Sequence, residues 1–309
     1  MAMSLPLILE QTLNGFQFGV FLFLIAAGLT LIFGIMNLVN LVHGSLYMMG
    51  AYFAAVAYQW SGSFLVALAV ALPASFVVGI VLEIVALRTL YQRDHLDQVL
   101  ATFGLILFFN QLMIFVFGAA SQEMNLPQGL EGHVEIIAGA PYPTYRLVII
   151  ATGLAVALAL YYLISRTRAG MLIRAGASNR AMIAALGINI RLLFTGIFGL
   201  GAMLAGLSGA MAGPILSVEP GMGEDMLILS FVVIVIGGIG SVQGAFVASV
   251  IVGVVETLGR SIIPFLLERI LSNEAAQTAG PAITSMTIYI LMAAVLFFRP
   301  RGLFPAKGG

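Results

Sequence analysis

Several polar side chains and a glycine follow the first long apolar stretch, in the run Asn37-Leu-Val-Asn40-Leu-Val-His43-Gly44-Ser45. Polar side chains at membrane depth must face other protein groups or a water-filled path, because lipid offers them no hydrogen bonds. Asparagine and glycine also favour an interrupted helix, which is tolerated at that depth only beside a cavity. We therefore predict that Asn37, Asn40, His43, Gly44 and Ser45 line a path across the membrane. The alternative is an ordinary cytoplasmic turn from Asn37 to Gly44 with a helix cap.

A second run, Gly237-Gly238-Ile-Gly240-Ser241, interrupts a later apolar stretch. Glycine breaks in paired half-helices commonly mark the substrate path of membrane transporters. We predict that Gly237, Gly238, Gly240 and Ser241 belong to the same path. The segments 43–51 and 239–245 share small residues, which favours an internal repeat that pairs them.

The glycine run could also be taken for a phosphate-binding loop, but an ATP-binding loop of this kind needs a lysine after its last glycine. Lys307 is the only lysine of the chain. The chain is therefore predicted to hold no such site, and any energy from ATP must come from another subunit. Cysteine is absent from the sequence, which excludes disulfides and metal–thiolate sites. We expect no catalytic residue, no metal and no cofactor.

Two carboxylates, Glu83 and Glu256, lie within or beside apolar runs. A carboxylate inside a membrane is a candidate proton relay. Glu83 is close to Arg88 in the sequence, which favours an interfacial position for Glu83 instead.

The segment 166–191 is basic, because it contains five arginines and no acidic residue. Ser178 or Asn179 can cap a short helix there, and Gly187 can end it. Such a helix fits the groove of a soluble partner. Alternatively, it lies flat on the membrane with its arginines on anionic lipid.

The composition places these residues in a membrane protein. Hydrophobic residues make up 61% of the 309 residues and charged residues only 8%, against about 25% charged residues in soluble proteins. With so few charges the chain cannot cover a water-facing surface. Its net charge is zero, so nothing supports attraction to nucleic acid.

Runs without charged residues locate the membrane-crossing helices, because an ionised group at the bilayer centre is costly. The run between Glu10 and Glu83 has room for three crossings of about 20 residues each. The run 226–255 is too long for one crossing and short for two, so we predict two abbreviated helices around its glycines. The chain is thus predicted to be an all-α polytopic membrane protein with about eight or nine transmembrane helices, including a glycine-broken pair. The predicted crossings are near 12–35, 44–60, 63–87, 98–122, 147–165, 192–218, 226–255 and 275–298.

The distribution of arginine predicts the orientation, because cytoplasmic loops carry an excess of positive charge. The segment 166–191 and the C-terminal segment are basic, whereas the loops 119–143 and 217–226 contain acids and neither lysine nor arginine. Alternation then places the N-terminus outside and the C-terminus in the cytoplasm, across a bacterial inner membrane. The loop 260–281 fits this orientation least well, because it lies outside although it contains Arg260 and Arg269.

Several stretches together resemble one family, the permease subunits of branched-chain amino-acid ABC importers. They occur in order over nearly the whole chain: Gly28-Leu-Thr-Leu-Ile-Phe-Gly34; Asn40-x-x-His43-Gly44 with Tyr47 and Gly50-Ala-Tyr52; Arg174-Ala-x-x-x-Asn179 with Leu186-Gly-Ile-Asn189; Gly237-Gly-Ile-Gly-Ser241-x-x-Gly244-Ala245; and Arg299-Pro-Arg-Gly-Leu-Phe304.

The resemblance implies one transmembrane permease domain over 1–309 with the ABC importer permease fold, a cytoplasmic coupling loop at about 166–191 and a broken helix pair at about 226–259. In this family a second homologous permease completes a homo- or heterodimer in the lipid. Two cytoplasmic ATP-binding subunits and an external solute-binding protein complete the importer. The resemblance therefore favours docking of the coupling loop on an ATPase over a lipid-bound helix. The residues implied in this coupling are Arg174, Asn179, Arg180, Ala184, Ala185, Leu186 and Gly187.

The implied function is ATP-driven import of branched-chain or related amino acids, with ATP hydrolysis in the partner subunits, so the chain itself is not expected to be an enzyme. Related permeases carry urea, amides or aromatic acids, and Ser45 stands where the branched-chain type usually has an acidic residue, so these solutes remain alternatives. A self-sufficient secondary transporter is the alternative from a different class. It would need an ion-coupling pair of carboxylates at the membrane midplane.

Overall fold

A computed structural model describes residues 5–127, 129–137 and 140–305 of the chain. These residues form eleven α-helices, a 3-10 helix at Leu87–Leu90 and one small antiparallel hairpin. The helices are α1 Leu5–Met36, α2 His43–Ser61, α3 Phe64–Val85, α4 His95–Phe117, α5 Thr144–Arg166, α6 Arg168–Ser178, α7 Arg180–Ala185, α8 Ile190–Ala212, α9 Met222–Gly237, α10 Val242–Leu267 and α11 Asn273–Phe298; the strands are β1 His133–Ile137 and β2 Ala140–Pro143.

Seven of the helices in the described ranges are long and apolar enough to cross a membrane: α1, α3, α4, α5, α8, α10 and α11. The helices α2 and α9 are shorter, with 19 and 16 residues. The predicted all-α polytopic fold is confirmed, and the helix number agrees with the predicted eight or nine. The hairpin lies between α4 and α5 and was not predicted.

The two short helices begin inside the helical bundle and not at its ends. Gly28 of α1 packs against His43, the first residue of α2, since a Cβ on Gly28 would lie 3.0 Å from the His43 Nε2 atom. Gly28 precedes the last residue of α1 by eight positions, which is about 12 Å along a helix. Gly44 in turn meets Gly223 in the first turn of α9. The chain therefore folds back into the helical bundle before each short helix starts.

The segments α1–α3 and α8–α10 have the same order of elements in opposite directions. Each consists of a long helix, an irregular returning segment, a short helix, a Gly-Ser turn and a second long helix. The long helices α1 and α8 are antiparallel. Gly28 of α1 packs on Gly201 of α8. Seven residues further along α8, the Ser208 hydroxyl donates to Phe21 O, which lies seven residues before Gly28 in α1. The two segments form an inverted repeat that meets at Gly44 and Gly223.

Small side chains let the long helices of the two halves approach closely, which is a principal source of attraction between helices in lipid. One buried face of α3 packs on α8, and the matching face of α10 packs on α1. The residues of these faces are Ala71, Ser75 and Gly79 in α3, and Ala245, Ser249 and Gly253 in α10.

Three details of the predicted order are wrong. Of the two helices predicted to be abbreviated, α9 is short but α10 has 26 residues. Glu224 and Asp225 were expected in an outer loop, yet they form the first turn of α9, where the positive end of the helix favours acidic side chains. The segment 43–51 corresponds to the start of α9 and not to 239–245; the true counterpart of Gly240-Ser241 is the turn Gly62-Ser63.

Candidate translocation path and coupling helices

The returning segment after α1 positions the first group of predicted path residues. Asn37 is exposed and has a φ of 50°, a left-handed conformation that asparagine tolerates better than most residues. This conformation ends α1, and the following chain turns back beside α4, where Val39 N donates to Gln98 Oε1 at 3.1 Å. Asn40 is fully buried in this segment. The fold thus separates an exposed Asn37 from a buried Asn40.

His43, Gly44 and Ser45 form the first turn of α2, deep in the bundle. The His43 ring is fully buried and lies against the backbone of α1 at Ile25 and Gly28. A Cβ on Gly44 would lie 2.5 Å from the carbonyl oxygen of Gly223, so glycine is needed for α2 and α9 to touch. The Ser45 side chain is buried, and within the described ranges no group forms a hydrogen bond with its hydroxyl.

A small cavity of about 10 Å³ opens where α2, α9 and α4 meet, which is room for about one water molecule. Its polar lining combines the start of α2 with Asn110 of α4 and Glu224 of α9, and Asn110 Nδ2 donates to Glu224 Oε1 at 2.6 Å. Sequence reasoning did not select Asn110 or Glu224. The available signal was an asparagine in the middle of an apolar run, which is unfavourable in lipid unless it has a polar neighbour.

The second group of predicted path residues lies elsewhere, in the tight turn between α9 and α10. Gly238 and Gly240 have φ values of 105° and 81°, which favour glycine. Gly240 packs on Gly34 of α1, six residues beyond the Gly28 that meets His43, or about 9 Å along the helix. Ser241 caps α10 by accepting a hydrogen bond from Gly244 N at 3.0 Å.

The C-terminal segment closes the same turn. Leu303 N and Phe304 N donate to the carbonyl oxygens of Ile236 and Gly237 at 2.8 and 2.9 Å. These bonds satisfy carbonyl groups that the end of a helix otherwise leaves without partners. Gly237, Gly238, Gly240 and Ser241 therefore hold the end of α9 against the C-terminal segment, apart from the cavity.

The basic segment between α5 and α8 contains two short helices, α6 and α7. The predicted helix is present as α7: the Asn179 side chain accepts from Met182 N at 2.9 Å, and Gly187 follows with a φ of 80°. Ile183 is buried, whereas Leu186 is 70% exposed. Also exposed are Met182, Ala184, Ala185 and Gly187 in and after α7, and Arg174 in α6; the side chain of Arg180 lies outside the described part of the structure. The additional helix α6 was not predicted.

A buried carboxylate packs against the second turn of α8. Glu83 of α3 accepts hydrogen bonds from Arg88, at 2.9 and 3.2 Å, from Tyr91 at 2.7 Å and from Thr195 of α8 at 2.8 Å. The hydrogen bond to Glu83 raises the pKa of Arg88 above its ordinary value. This cluster joins α3 and the 3-10 helix to the helix that directly follows α7.

Comparison with known proteins places the chain among membrane transport components. A family model described as the permease component of the branched-chain amino acid transport system matches residues 11–296. The chain is 28% identical over 309 residues to the high-affinity branched-chain amino acid transport system permease protein BraD of Pseudomonas aeruginosa, covering 96% of this chain and 95% of that protein.

Two further relatives carry similar names. The permease protein LivH of Escherichia coli K12, from a high-affinity branched-chain amino acid transport system, is 31% identical over 276 residues, covering 82% of this chain and 87% of LivH. A probable branched-chain amino acid transport permease protein of Methanocaldococcus jannaschii is 26% identical over 247 residues, covering 77% of this chain and 76% of that protein. No solved structure matches the chain significantly.

Proposed function

Because the chain belongs to the family of branched-chain amino acid transport permeases, we propose that it is the membrane-spanning permease subunit of an ATP-driven importer for branched-chain or related amino acids. The whole chain, 1–309, acts as one transmembrane permease domain. A second homologous permease pairs with it, two ATP-binding subunits dock on the cytoplasmic side, and a solute-binding protein delivers the solute from outside.

The observation that carries this proposal is the exposed apolar surface of α7. Met182 and Leu186 are 60% and 70% exposed, beside the small side chains of Ala184 and Ala185. A short helix of this kind fits the groove of a soluble partner. The chain has no lysine other than Lys307, which lies outside the described residues, and so lacks the ATP-binding motif that needs one. The ATPase activity therefore resides in the partner that α7 contacts, and the whole loop 166–191 serves the coupling.

The translocation path runs along the starts of α2 and α9. Asn40, His43, Gly44 and Ser45 are buried there at membrane depth, and Asn37 stands at its cytoplasmic entrance. The turn Gly237-Gly238-Ile-Gly240-Ser241 lies apart from these helix starts, and we assign it to the path as the hinge at the end of α9, because Gly238 and Gly240 within it have positive φ values.

The proposal is tested by assembly and uptake with the complete importer. Vesicles that contain both permeases, the ATPases and the binding protein are expected to accumulate L-leucine when ATP is supplied inside. Ala184→Glu and Ala185→Glu each place a charge on the docking surface, and loss of an interface hot spot costs about 2 kcal/mol, or about thirtyfold in affinity. Both variants are expected to lose the ATPases on co-purification.

Ala119→Glu is the matched control, because Ala119 is exposed in the loop after α4, and it is expected to retain the ATPases. Retention of the ATPases by both α7 variants contradicts the docking role. If Arg174→Glu or Arg180→Glu has the larger effect, α7 binds lipid instead. Uptake of leucine by this chain alone, driven by an ion gradient, contradicts an ATP-driven importer.

The proposed orientation has the N-terminus outside and the C-terminus in the cytoplasm of a bacterial inner membrane. It is supported by the excess of arginine in 166–191. Cysteine introduced at Gly132 is expected to react with an impermeant thiol reagent in sealed cells, and cysteine introduced at Ser178 is not. The native chain has no cysteine, so the background is low. Labelling at 178 without labelling at 132 reverses the orientation.

A further inference from the structure

The cavity between α2, α9 and α4 combines one carboxylate, Glu224, with the N-terminal ends of two helices. We propose that it is a recognition site for the zwitterionic backbone of an α-amino acid, with Glu224 binding the ammonium group and the starts of α2 and α9 binding the carboxylate. The inference rests on the proposed import function and specifies the chemistry by which the permease itself handles the solute.

We place Glu224 and Asn110 at a depth where lipid surrounds the protein. Gly223 is fourteen residues from the end of α9 at Gly237, or about 21 Å, and Asn110 lies seven residues, or about 10 Å, before the end of the candidate span α4. Glu224 is exposed in the single chain. A carboxylate at this depth faces a polar path and not lipid, so this side of α4 and α9 borders the route of the solute.

The two short helices supply the positive end of the site. Neither Val42 before α2 nor Gly221 before α9 provides a side-chain cap. Ser45 N and Glu224 N donate to the carbonyl oxygens of Val42 and Gly221. Within the described residues the N–H groups of Gly44 and Gly223 have no such acceptor, and together with the helix dipole such groups favour an anion. Gly44 and Gly223 are in contact, so the two helix starts converge on one place.

Ser45 is an independent indication that this place receives a ligand. Its side chain is 97% buried, lines the cavity, and makes no hydrogen bond with any group in the described part of the chain. A buried hydroxyl without a partner is costly. A solute carboxylate would accept a hydrogen bond from it, beside the N–H groups of the helix starts.

The rest of the lining suits an apolar side chain. The cavity wall is completed by Leu41, Met48, Ile106 and Leu227. An amino acid bound with its charged groups between Glu224 and the helix starts would direct its side chain toward these residues. At about 10 Å³ the cavity is closed to such a solute, so α2 and α9 must separate at Gly44 and Gly223 for the solute to pass.

The site is tested in the complete importer, in proteoliposomes, with L-leucine as the probe. Glu224→Gln removes the charge that holds the ammonium group and keeps the shape of the side chain, so uptake is expected to fall at least about tenfold. Glu224→Asp is expected to recover part of the uptake. Asp225→Asn is the matched control, because Asp225 is exposed in the same helical turn and does not line the cavity. Its uptake is expected to be normal.

Co-purification of the partner subunits separates loss of recognition from loss of assembly. An assembled Glu224→Gln importer with normal uptake overturns the site. If that variant does not assemble, Ser45→Ala and Glu224→Asp decide: reduced uptake by both supports the site, and normal uptake by either overturns it. Absence of leucine uptake by the wild-type importer contradicts the proposed function itself, so the two failures are distinguishable.

Discussion

Within the inverted repeat, α2 starts beside Gly28 of α1 and α9 starts beside α2, but the two short helices are packed differently. α2 crosses α8 with backbone against backbone, because a Cβ on Gly50 or Gly209 would overlap the main chain opposite. α9 has no glycine between Gly223 and Gly237, and Ile228 is 49% exposed. Close backbone approach gives strong packing in lipid. We infer that α2 is the fixed half-helix and that α9 moves when the cavity opens.

The long helices that follow the two short helices, α3 and α10, also differ in how firmly they are held. Glu83 of α3 has three different side chains as hydrogen-bond partners. Glu256 of α10 pairs with Arg260 in the next turn, and its Oε2 atom has no partner within the described ranges. The arginine side chains are 33% exposed at Arg88 and 58% at Arg260. The α3–α8 side, which adjoins α7, is thus the more firmly joined.

The largest effect is expected at the crossing of α2 and α8. Gly50→Leu places a side chain where the Gly206 backbone lies, and neither helix can yield without separating. Overpacking typically lowers the free energy of unfolding by about 1–3 kcal/mol. We expect a loss at or above the upper end of this range, because backbone atoms oppose the new side chain. The measurement is the fraction of monodisperse protein left after heating in detergent.

Gly104→Leu in α4 is the control for this substitution, because a side chain there would meet open space. It is expected to behave as wild type. Equal stability of the two variants would remove the evidence that α2 is fixed.

A smaller difference in stability is expected between the variants Glu83→Gln and Glu256→Gln. Glu83→Gln removes a buried charge that accepts hydrogen bonds from three side chains, and a hydrogen bond to a charged group contributes about 1.5–3 kcal/mol. Glu256→Gln disturbs one pair between residues four apart with an exposed partner, which contributes about 0.5 kcal/mol. The midpoints of thermal unfolding in detergent should therefore fall much further for Glu83→Gln. A larger fall in the midpoint for Glu256→Gln than for Glu83→Gln would mean that α10 is held more firmly than α3.

The sequence predicts the spans and one cap because their signals are local. Uncharged runs locate the long helices, and Asn179 with Gly187 delimits α7. The starts of α2 and α9 inside the bundle were not predictable in the same way. Hydropathy indicates how long an apolar run is, but not how deep in the bundle a helix begins. For this reason Glu224 was expected in a loop, and its partner Asn110, 114 positions earlier, was not identified.

The internal repeat shows the limit of matching small residues. The sequence similarity paired His43 to Ala51 with Ile239 to Ala245, whereas the fold pairs the start of α2 with the start of α9. Glycine, serine and alanine recur throughout such helices for packing, so a few matches do not fix an alignment. Antiparallel contacts such as Gly28 with Gly201 fix it, and they join residues far apart in the chain.

The smallest predicted effect concerns the two Gly-Ser turns, which occupy equivalent places before α3 and α10. Ser241 accepts a hydrogen bond from Gly244 N at 3.0 Å, whereas the Ser63 side chain forms no cap. Loss of a serine cap costs about 1 kcal/mol, so Ser241→Ala should lower the midpoint of thermal unfolding measurably and Ser63→Ala should not. Ser241→Asp retains a capping oxygen and is expected to restore most of the loss. If Ser63→Ala and Ser241→Ala are equally destabilising, the turn after α2 contributes as much as the turn after α9, which contradicts the proposed contrast between the two halves. If only Ser241→Ala is destabilising, the half that moves relies on its cap while the fixed half relies on helix packing.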